Sequence, residues 1–195
     1  MKANFYSSSF ASIKNCEAGL FKNGFSCFAF ILIGMFSAKL ASAQCDSLFT
    51  NNNTGSSCGG GVMFDVEALQ QDLDVEAISV RFAATGSQSV SIYYRAGGYA
   101  AYPTDPTQWT LAETKTVNPA TTASPTKITL SSPFTINQGV VYGIYVEYNA
   151  AYATGSATFS NSELEITTGM SHCTAWDGCC SPRTFNGSVY YCPAI

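Results

Sequence analysis

The sequence predicts an all-β fold, an antiparallel β-sandwich of jelly-roll-like form with about eight or nine short strands and disulfide-stapled ends. The run Gly139–Asn149 favours it, because it is rich in Val, Ile and Tyr and is flanked by turn-forming residues. Other apolar or alternating segments are short and are separated by Gly, Pro, Asn and Ser, which is typical of strands and turns. The cysteines of residues 44–195 lie near the two ends of that range, where bridges would hold the termini of a sandwich.

Residues 1–43 have the organisation of a secretory signal peptide. Three lysines precede the apolar segment Phe25–Phe36, and Ala41-Ser42-Ala43 then presents small residues where a signal peptidase cuts. A membrane anchor is the alternative, but this segment is shorter than the roughly 20 residues of a membrane-spanning helix. We therefore expect cleavage before Gln44, no membrane span in the product, and one secreted, extracellular domain at 44–195.

The pattern of apolar residues then indicates the elements in chain order. After a Gly-rich loop over 44–61, strands are predicted at Val62–Val66, Val75–Ala83, Gln88–Arg95, Trp109–Val117, Lys127–Leu130, Gly139–Asn149, Ala157–Ser160, Glu163–Thr167 and Thr184–Cys192, with Pro133–Ile136 leading into the central strand. Glu67–Asp74 favours a helical turn. Thr85-Gly86-Ser87 is expected to join its two flanking strands as a hairpin. Gly169–Arg183 is expected to be a Cys-rich loop.

The central strand is predicted to lie inside the sandwich, because both of its faces are apolar. We expect Val141, Ile144 and Val146 to be buried, and Tyr145 to share the opposite face with Gly143.

Charge excludes one class of partner. Residues 44–195 contain five Lys and Arg and twelve Asp and Glu, and five minus twelve gives a net charge of −7. Phosphate binding needs a basic surface, so nucleic acid is not an expected partner.

Six cysteines remain after the expected cleavage: Cys45, Cys58, Cys173, Cys179, Cys180 and Cys192. An even number in an exported chain predicts disulfides, although six cysteines allow fifteen pairings. We expect all six to be oxidised, with Cys45 and Cys58 as a local pair. Adjacent Cys179 and Cys180 lack the spacing that zinc sites prefer, so no metal is expected there.

Catalytic patterns are weak. His172 is the sole histidine, and we expect it to be exposed in the Cys-rich loop. Carboxylates two residues apart share a strand face and are usually solvated, but they leave a polysaccharide hydrolase open as an alternative: Asp65 with Glu67, Asp74 with Glu76, and Glu163 with Glu165. No cofactor is expected; calcium is the option kept open, at Glu67, Asp72, Asp74 and Glu76.

Aromatic residues in loops are the remaining functional signal. Tyr99, Tyr102 and Trp176 are candidates for ligand binding, because flat aromatic faces stack on sugar rings. Trp109 is more simply interpreted as a core residue.

Six phrases occur in an order that resembles an uncharacterised secreted β-sandwich domain of bacterial surface proteins: Val62–Val66, Val90–Gly97, Trp109–Leu111, Val141–Tyr145, Thr158–Leu164 and Ser181–Tyr191. That domain often occurs beside sorting signals or adhesion modules, and the resemblance implies no catalytic residues. Met170–Cys180 departs from the pattern, since a Cys-bearing loop replaces a shorter Gly-rich one. The sequence therefore predicts a non-catalytic binding or adhesion module whose ligand is a polysaccharide or cell-surface glycan. A hydrolase and a purely structural surface or matrix protein are the alternatives.

Overall fold

Alternating apolar and polar residues produce thirteen strands in the computed structural model, which describes residues 44–53 and 55–195. The strands are β1 Asp46–Phe49, β2 Ser56–Cys58, β3 Val62–Ala68, β4 Leu73–Val80, β5 Gln88–Ala96, β6 Thr110–Val117, β7 Thr126–Ile136, β8 Val141–Glu147, β9 Ala150–Thr154, β10 Thr158–Ser160, β11 Leu164–Ser171, β12 Cys180–Thr184 and β13 Gly187–Pro193. The one helical element in the described part is a 3₁₀ turn at Pro106–Gln108. The all-β class predicted from the sequence is confirmed.

The strands form two sheets with antiparallel ladders. The smaller sheet has four strands in the order β1-β13-β4-β7, and the larger has nine, in the order β2-β9-β12-β11-β3-β8-β5-β6 with β10 added beside β11. The sheets pack face to face, since one buried apolar cluster contains residues of both. Phe64 of β3 stacks on Phe185, which precedes β13, and Tyr94 of β5 stacks on Phe134 of β7.

Strand β8 occupies the predicted central position, between β3 and β5 of the larger sheet. Ile144 and Val146 are fully buried against the smaller sheet, and Tyr145 lies on the opposite, outer face with Gly143, as expected. The prediction that Val141 is buried is wrong, since the residue is 38% exposed. It also lies on the outer face, where its end of β8 is left uncovered.

Two local predictions are wrong for a shared reason. The expected hairpin does not form, because β4 pairs with β7 and β13 in the smaller sheet whereas β5 pairs with β6 and β8 in the larger. The expected helical turn at Glu67–Asp74 is the end of β3, a tight turn and the start of β4. Both segments cross from one sheet to the other, and local sequence does not record which sheet a strand joins.

Two disulfides hold the described chain, and their pairing differs from the prediction. Cys45 pairs with Cys192 and Cys58 with Cys173, so Cys45 and Cys58 are not partners. Cys45 precedes β1 and Cys192 lies in β13, and these strands are antiparallel neighbours, which brings the chain ends together. Cys179 and Cys180 carry free thiols, which corrects the expectation that all six cysteines are oxidised.

The expected signal peptide at residues 1–43 lies outside the described residues. Within the described ranges, no helix has the length and apolar character that crossing a membrane requires.

Candidate functional site

An aromatic cluster covers the outer face of the larger sheet. It consists of Tyr93 in β5, Trp109 just before β6, Tyr145 in β8 and Trp176 in the loop after β11. The ring centroid of Trp176 lies 4.5 Å from that of Tyr145, 5.2 Å from Tyr93 and 5.8 Å from Trp109, each in an edge-to-face arrangement. Such pairs contribute about 0.5–1.5 kcal/mol each beyond the area they bury. Trp176 therefore packs against three aromatic rings of the sheet face.

Tyr145 is the base of this cluster. It is fully buried, and its hydroxyl donates a hydrogen bond to the carbonyl oxygen of Gly60. Burial, and then the nearby carboxylate of Glu147, raise the pKa of Tyr145. Burial also raises the pKa of Tyr93, whose hydroxyl donates to Glu147 Oε2 at 3.4 Å. Both phenols therefore stay neutral and act as donors at physiological pH.

The loop that carries Trp176 is organised by Asp177. The backbone N–H groups of Cys173, Thr174 and Cys179 donate to its carboxylate at 2.9 to 3.2 Å, and the Thr174 hydroxyl does so at 3.1 Å. Desolvation is the largest single influence and acts to raise the pKa of Asp177, but the hydrogen bonds from Thr174, Cys173 and Cys179 together outweigh it and lower the pKa. Trp176 itself has a φ of 64°, a left-handed conformation that is rare for a bulky residue.

His172 lies beneath this loop and is fully buried, which corrects the expectation of an exposed histidine. Its Nδ1 accepts a hydrogen bond from the backbone N–H of Gly178 at 2.9 Å, and its ring centroid lies 5.0 Å from that of Tyr145. Burial lowers the pKa of His172, although neighbouring Asp177 acts to raise it. A neutral imidazole that accepts from a backbone amide is a structural support for the loop.

A second loop, residues 97–108, covers the middle of the outer face. Its backbone passes so close to β8 that a Cβ on Gly143 would lie 2.7 Å from the amide nitrogen of Tyr99. That amide donates to Asp65 Oδ1 of β3 at 2.7 Å, which anchors the loop. Burial raises the pKa of Asp65, against the hydrogen bond from Tyr99 and the charge of Arg95.

Arg95 joins this loop to the aromatic cluster. Its guanidinium donates to the carbonyl of Gly98 and lies 4.8 Å from the ring centroid of Tyr102 and 5.9 Å from that of Trp109. The indole N–H of Trp109 donates to the carbonyl of Tyr102 at 2.9 Å. Tyr102 is thereby held at the surface, where the residue is 43% exposed.

A cleft of about 500 Å³ lies beside Tyr99. Hydroxyl groups of β10, β11 and β12 and their neighbouring residues line it: Ser156, Thr158, Thr167, Thr168 and Ser181. Burial raises the pKa of Tyr99, as does Asp65, while a hydrogen bond with Ser181 opposes the shift. Tyr99 thus has the aromatic cluster on one side and a row of hydroxyl groups on the other.

The three aromatic residues singled out in the sequence therefore meet on one face. Trp176 is part of the aromatic cluster, Tyr99 is partly buried against it, and Tyr102 is tied to it through Arg95 and Trp109. Trp109 is buried, as predicted, but on the outer face and not between the sheets.

Sequence reasoning missed the contacts of three residues on this face: Tyr93 stacks on Tyr145, and Arg95 lies over Trp109. The alternation in β5 and β8 contained the signal, since each of the three occupies an outward position.

The carboxylates proposed for calcium do not converge. Among the described residues, the one group of three or more potential metal-ligating side chains is Cys173, Cys179 and Cys180. Asp72 accepts from the backbone N–H of Gln138, just after β7, and Asp74 accepts from the hydroxyl of its cross-strand partner Thr135, so each has a local structural role. Cys173 is bonded to Cys58, which leaves two thiols and no complete set of ligands. Nothing in the described residues points to a cofactor.

A separate cavity of about 300 Å³ is lined by Arg81, Ser56, Ser57 and Thr122. Arg81 is buried, and its guanidinium donates to the carbonyl oxygens of Thr122 and Asn52 at 2.7 and 2.6 Å. These bonds make Arg81 a link between loops.

Comparison with known proteins adds little. No protein-family model matches the chain, and no curated protein does. One solved structure that matches is that of the Gx strain of infectious bursal disease virus, with a TM-score of 0.26 and 10% sequence identity, over 76% of this chain and 40% of that one. This chain thus corresponds to less than half of the viral chain, and at that score the likeness supports no argument about function.

Proposed function

We propose that residues 44–195 form a secreted, non-catalytic binding domain that takes a neutral or weakly cationic polysaccharide on the outer face of the larger sheet. The observation that carries this proposal is that Tyr99 and Trp176 belong to one aromatic cluster, to which Trp109 ties Tyr102, while Tyr99 also lines a cleft with serine and threonine residues. Such a domain would suit adhesion at a cell surface or in a matrix. The resemblance to secreted β-sandwich domains of bacterial surface proteins agrees with this proposal.

The backbone of Trp176 supports a role beyond packing. A non-Gly residue in the left-handed region costs on the order of 1–3 kcal/mol, and such residues cluster at binding sites. Here the carboxylate of Asp177 holds the strained segment in place through four donors in three residues. The loop therefore stabilises one orientation of an indole that keeps part of its surface open to solvent.

The chemistry of the face suits sugars. Sugar rings present apolar C–H faces that pack on aromatic rings, and hydroxyl edges that exchange hydrogen bonds with serine and threonine. Tyr99 lies at the boundary between these two kinds of surface. The net charge of −7 disfavours anionic glycans, since residues 44–195 contain five Lys and Arg and twelve Asp and Glu.

The location is part of the proposal. Disulfides between segments 147 and 115 residues apart are compatible with an oxidising, extracellular environment. Together with the expected signal peptide, they support secretion.

The hydrolase alternative has less support. Asp65 has a raised pKa, as a general acid needs, but its carboxylate accepts the amide of Tyr99 beneath residues 97–108. That contact makes it an anchor for the loop. The structural-protein alternative predicts no glycan binding by any variant.

The test measures binding to a panel of soluble and insoluble glycans for the wild type, Trp176→Ala and Tyr102→Ala. Loss of one stacking contact of about 0.5–1.5 kcal/mol should weaken binding roughly 2- to 10-fold. Tyr190→Ala is the matched control, because Tyr190 is a partly exposed tyrosine of the smaller sheet that packs against Lys127. Equal binding by all four proteins, or none, would contradict the proposal. Release of reducing sugar would instead favour the hydrolase, with Asp65 and Glu67 the first residues to replace.

A further inference from the structure

Four sulfur atoms lie in a chain at one end of the Trp176 loop. The Cys58–Cys173 disulfide ties β2 to this loop. The Sγ of Cys179 lies 3.3 Å from that of Cys173 and 2.9 Å from that of Cys180. Cys173 and Cys179 are both exposed, so a dissolved thiol or an alkylating reagent can reach them. A free thiol in contact with a disulfide is the arrangement that thiol–disulfide exchange requires.

We infer that Cys58, Cys173 and Cys179 form a thiol–disulfide exchange site, in which the Cys58–Cys173 bond is replaced by a Cys173–Cys179 bond. The thiolate of Cys179 attacks Sγ of Cys173 while the Cys58–Cys173 bond breaks. Cys58 leaves as a thiolate and takes a proton from water, which balances the proton that Cys179 gave up. One disulfide is broken and one is formed, so the step needs no oxidant or reductant.

The loop is already folded for the new bond. The amides of Cys173 and Cys179 donate to the same carboxylate, that of Asp177, at 3.1 and 3.2 Å. Since this shared contact holds the two residues together, closing a bond between them orders little that is not already ordered. The two cysteines are six positions apart, and Trp176 lies between them.

The exchange changes what the disulfide holds. In the observed state it ties the loop to β2, a three-residue edge strand that pairs with β9. After exchange the loop is closed on itself around Trp176, and β2 loses its covalent tie to the loop. The inference stands independently of glycan binding, because it concerns the sulfur atoms and not the ligand.

The neighbours of Cys179 shift the pKa of its thiol. The hydrogen bond with Cys180, and to a lesser extent the charge of Asp177, raise the pKa of Cys179, while Arg183 acts to lower it. The thiolate is the attacking species, so exchange should be slow at neutral pH and speed up about tenfold per pH unit until the thiol is ionised. Acid and an alkylating reagent will therefore stop it for analysis.

The experiment follows which cysteine is alkylated in the native wild-type chain. The protein is held at pH 7, 8 and 9 for increasing times, quenched with acid, alkylated, and mapped by peptide mass spectrometry. We expect alkylated Cys58 and a Cys173–Cys179 linkage to appear together, at the expense of alkylated Cys179 and the Cys58–Cys173 linkage. Cys179→Ser should show neither product, and Cys180→Ser should still exchange.

Two outcomes overturn the inference. One is a native chain in which Cys58 stays unalkylated at every pH and time. The other is a Cys179–Cys180 disulfide that keeps Cys179 from reacting. If Cys179→Ser fails to fold by near-ultraviolet circular dichroism, the time course of the wild-type chain still decides between these results.

Discussion

The two faces of the larger sheet are both covered, but by different means. The inner face packs aliphatic side chains such as Ile144 and Val146 against a second sheet. The outer face packs Tyr145 and its aromatic neighbours beneath two loops, each held by a carboxylate, Asp65 or Asp177. Stability of the inner face depends on summed apolar area, whereas the outer face depends on a few specific long-range contacts. The inner face therefore holds the two sheets together, and the outer face is the one on which we propose that a ligand binds.

The largest expected loss of stability comes from a substitution on the inner face. Ile144→Ala should lower the free energy of unfolding by about 2–5 kcal/mol, because the side chain is fully buried and its removal leaves a cavity. Val141→Ala, in the same strand but 38% exposed, should change it by less than about 0.5 kcal/mol. Urea-induced unfolding of both variants measures the difference. Similar losses in the two would contradict the assignment of faces.

The second largest loss of stability is expected where residues 97–108 pack closely on the outer face. Gly143→Ala places a Cβ 2.7 Å from the Tyr99 amide and 2.8 Å from the Gly98 carbonyl carbon, so the loop must shift. We expect a loss of about 1–3 kcal/mol and a change in tryptophan fluorescence, since the loop packs beside Trp109. Gly59→Ala is the control, because its added Cβ would meet one backbone oxygen at 3.5 Å. Indistinguishable spectra and stabilities for the two variants would show that the loop does not press on β8.

The inner face was predictable because its signal is local. Alternation in β8 identifies Ile144 and Val146 as neighbours on one face, whatever the rest of the chain does. The same alternation places Tyr145 on the other face. It could not show that Val141 is exposed, since coverage of that end depends on where other segments run.

The outer face was only partly predictable. Loop position and composition singled out Tyr99, Tyr102 and Trp176, but not the contacts that bring them together. The Asp65–Tyr99 hydrogen bond and the Cys58–Cys173 bond join segments 34 and 115 residues apart. Neither spacing leaves a pattern in a single sequence, and the same holds for the burial of His172 under a loop that follows it.

A smaller effect concerns pH and the outer face. Burial lowers the folded-state pKa of His172 below its ordinary value of 6.5, so the unfolded chain binds the proton more readily. The contribution of His172 to the free energy of unfolding should therefore be fully present above pH 6.5 and fall as the pH drops below it, until the folded-state pKa is passed. The chain has one histidine, so its imidazole signal can be followed by NMR without assignment ambiguity. An imidazole pKa at or above 6.5 would contradict the buried, neutral state.

The smallest expected effect is the pH dependence of stability that Asp65 causes, and it is opposite in sign to that of His172. Burial raises the folded-state pKa of Asp65 above its ordinary value of 3.8, so the folded chain binds the proton more readily than the unfolded one. Its contribution to stability is present at low pH and is lost as the pH rises from 3.8 through the folded-state pKa. Asp65→Asn keeps an oxygen that can accept the Tyr99 amide but does not ionise in this range.

The measurement for Asp65 is the difference in unfolding free energy between wild type and Asp65→Asn across pH 3 to pH 7, in steps of about half a unit. Taking the difference cancels the titration of carboxylates common to both chains. We expect the advantage of the wild type to shrink as the pH rises and then to level off. A difference that grows with pH would mean that the Tyr99 amide and the charge of Arg95 outweigh burial. Asp65 would then hold residues 97–108 in place as a carboxylate stabilised by ionisation, and the outer face would be strongest where its charge is fully developed.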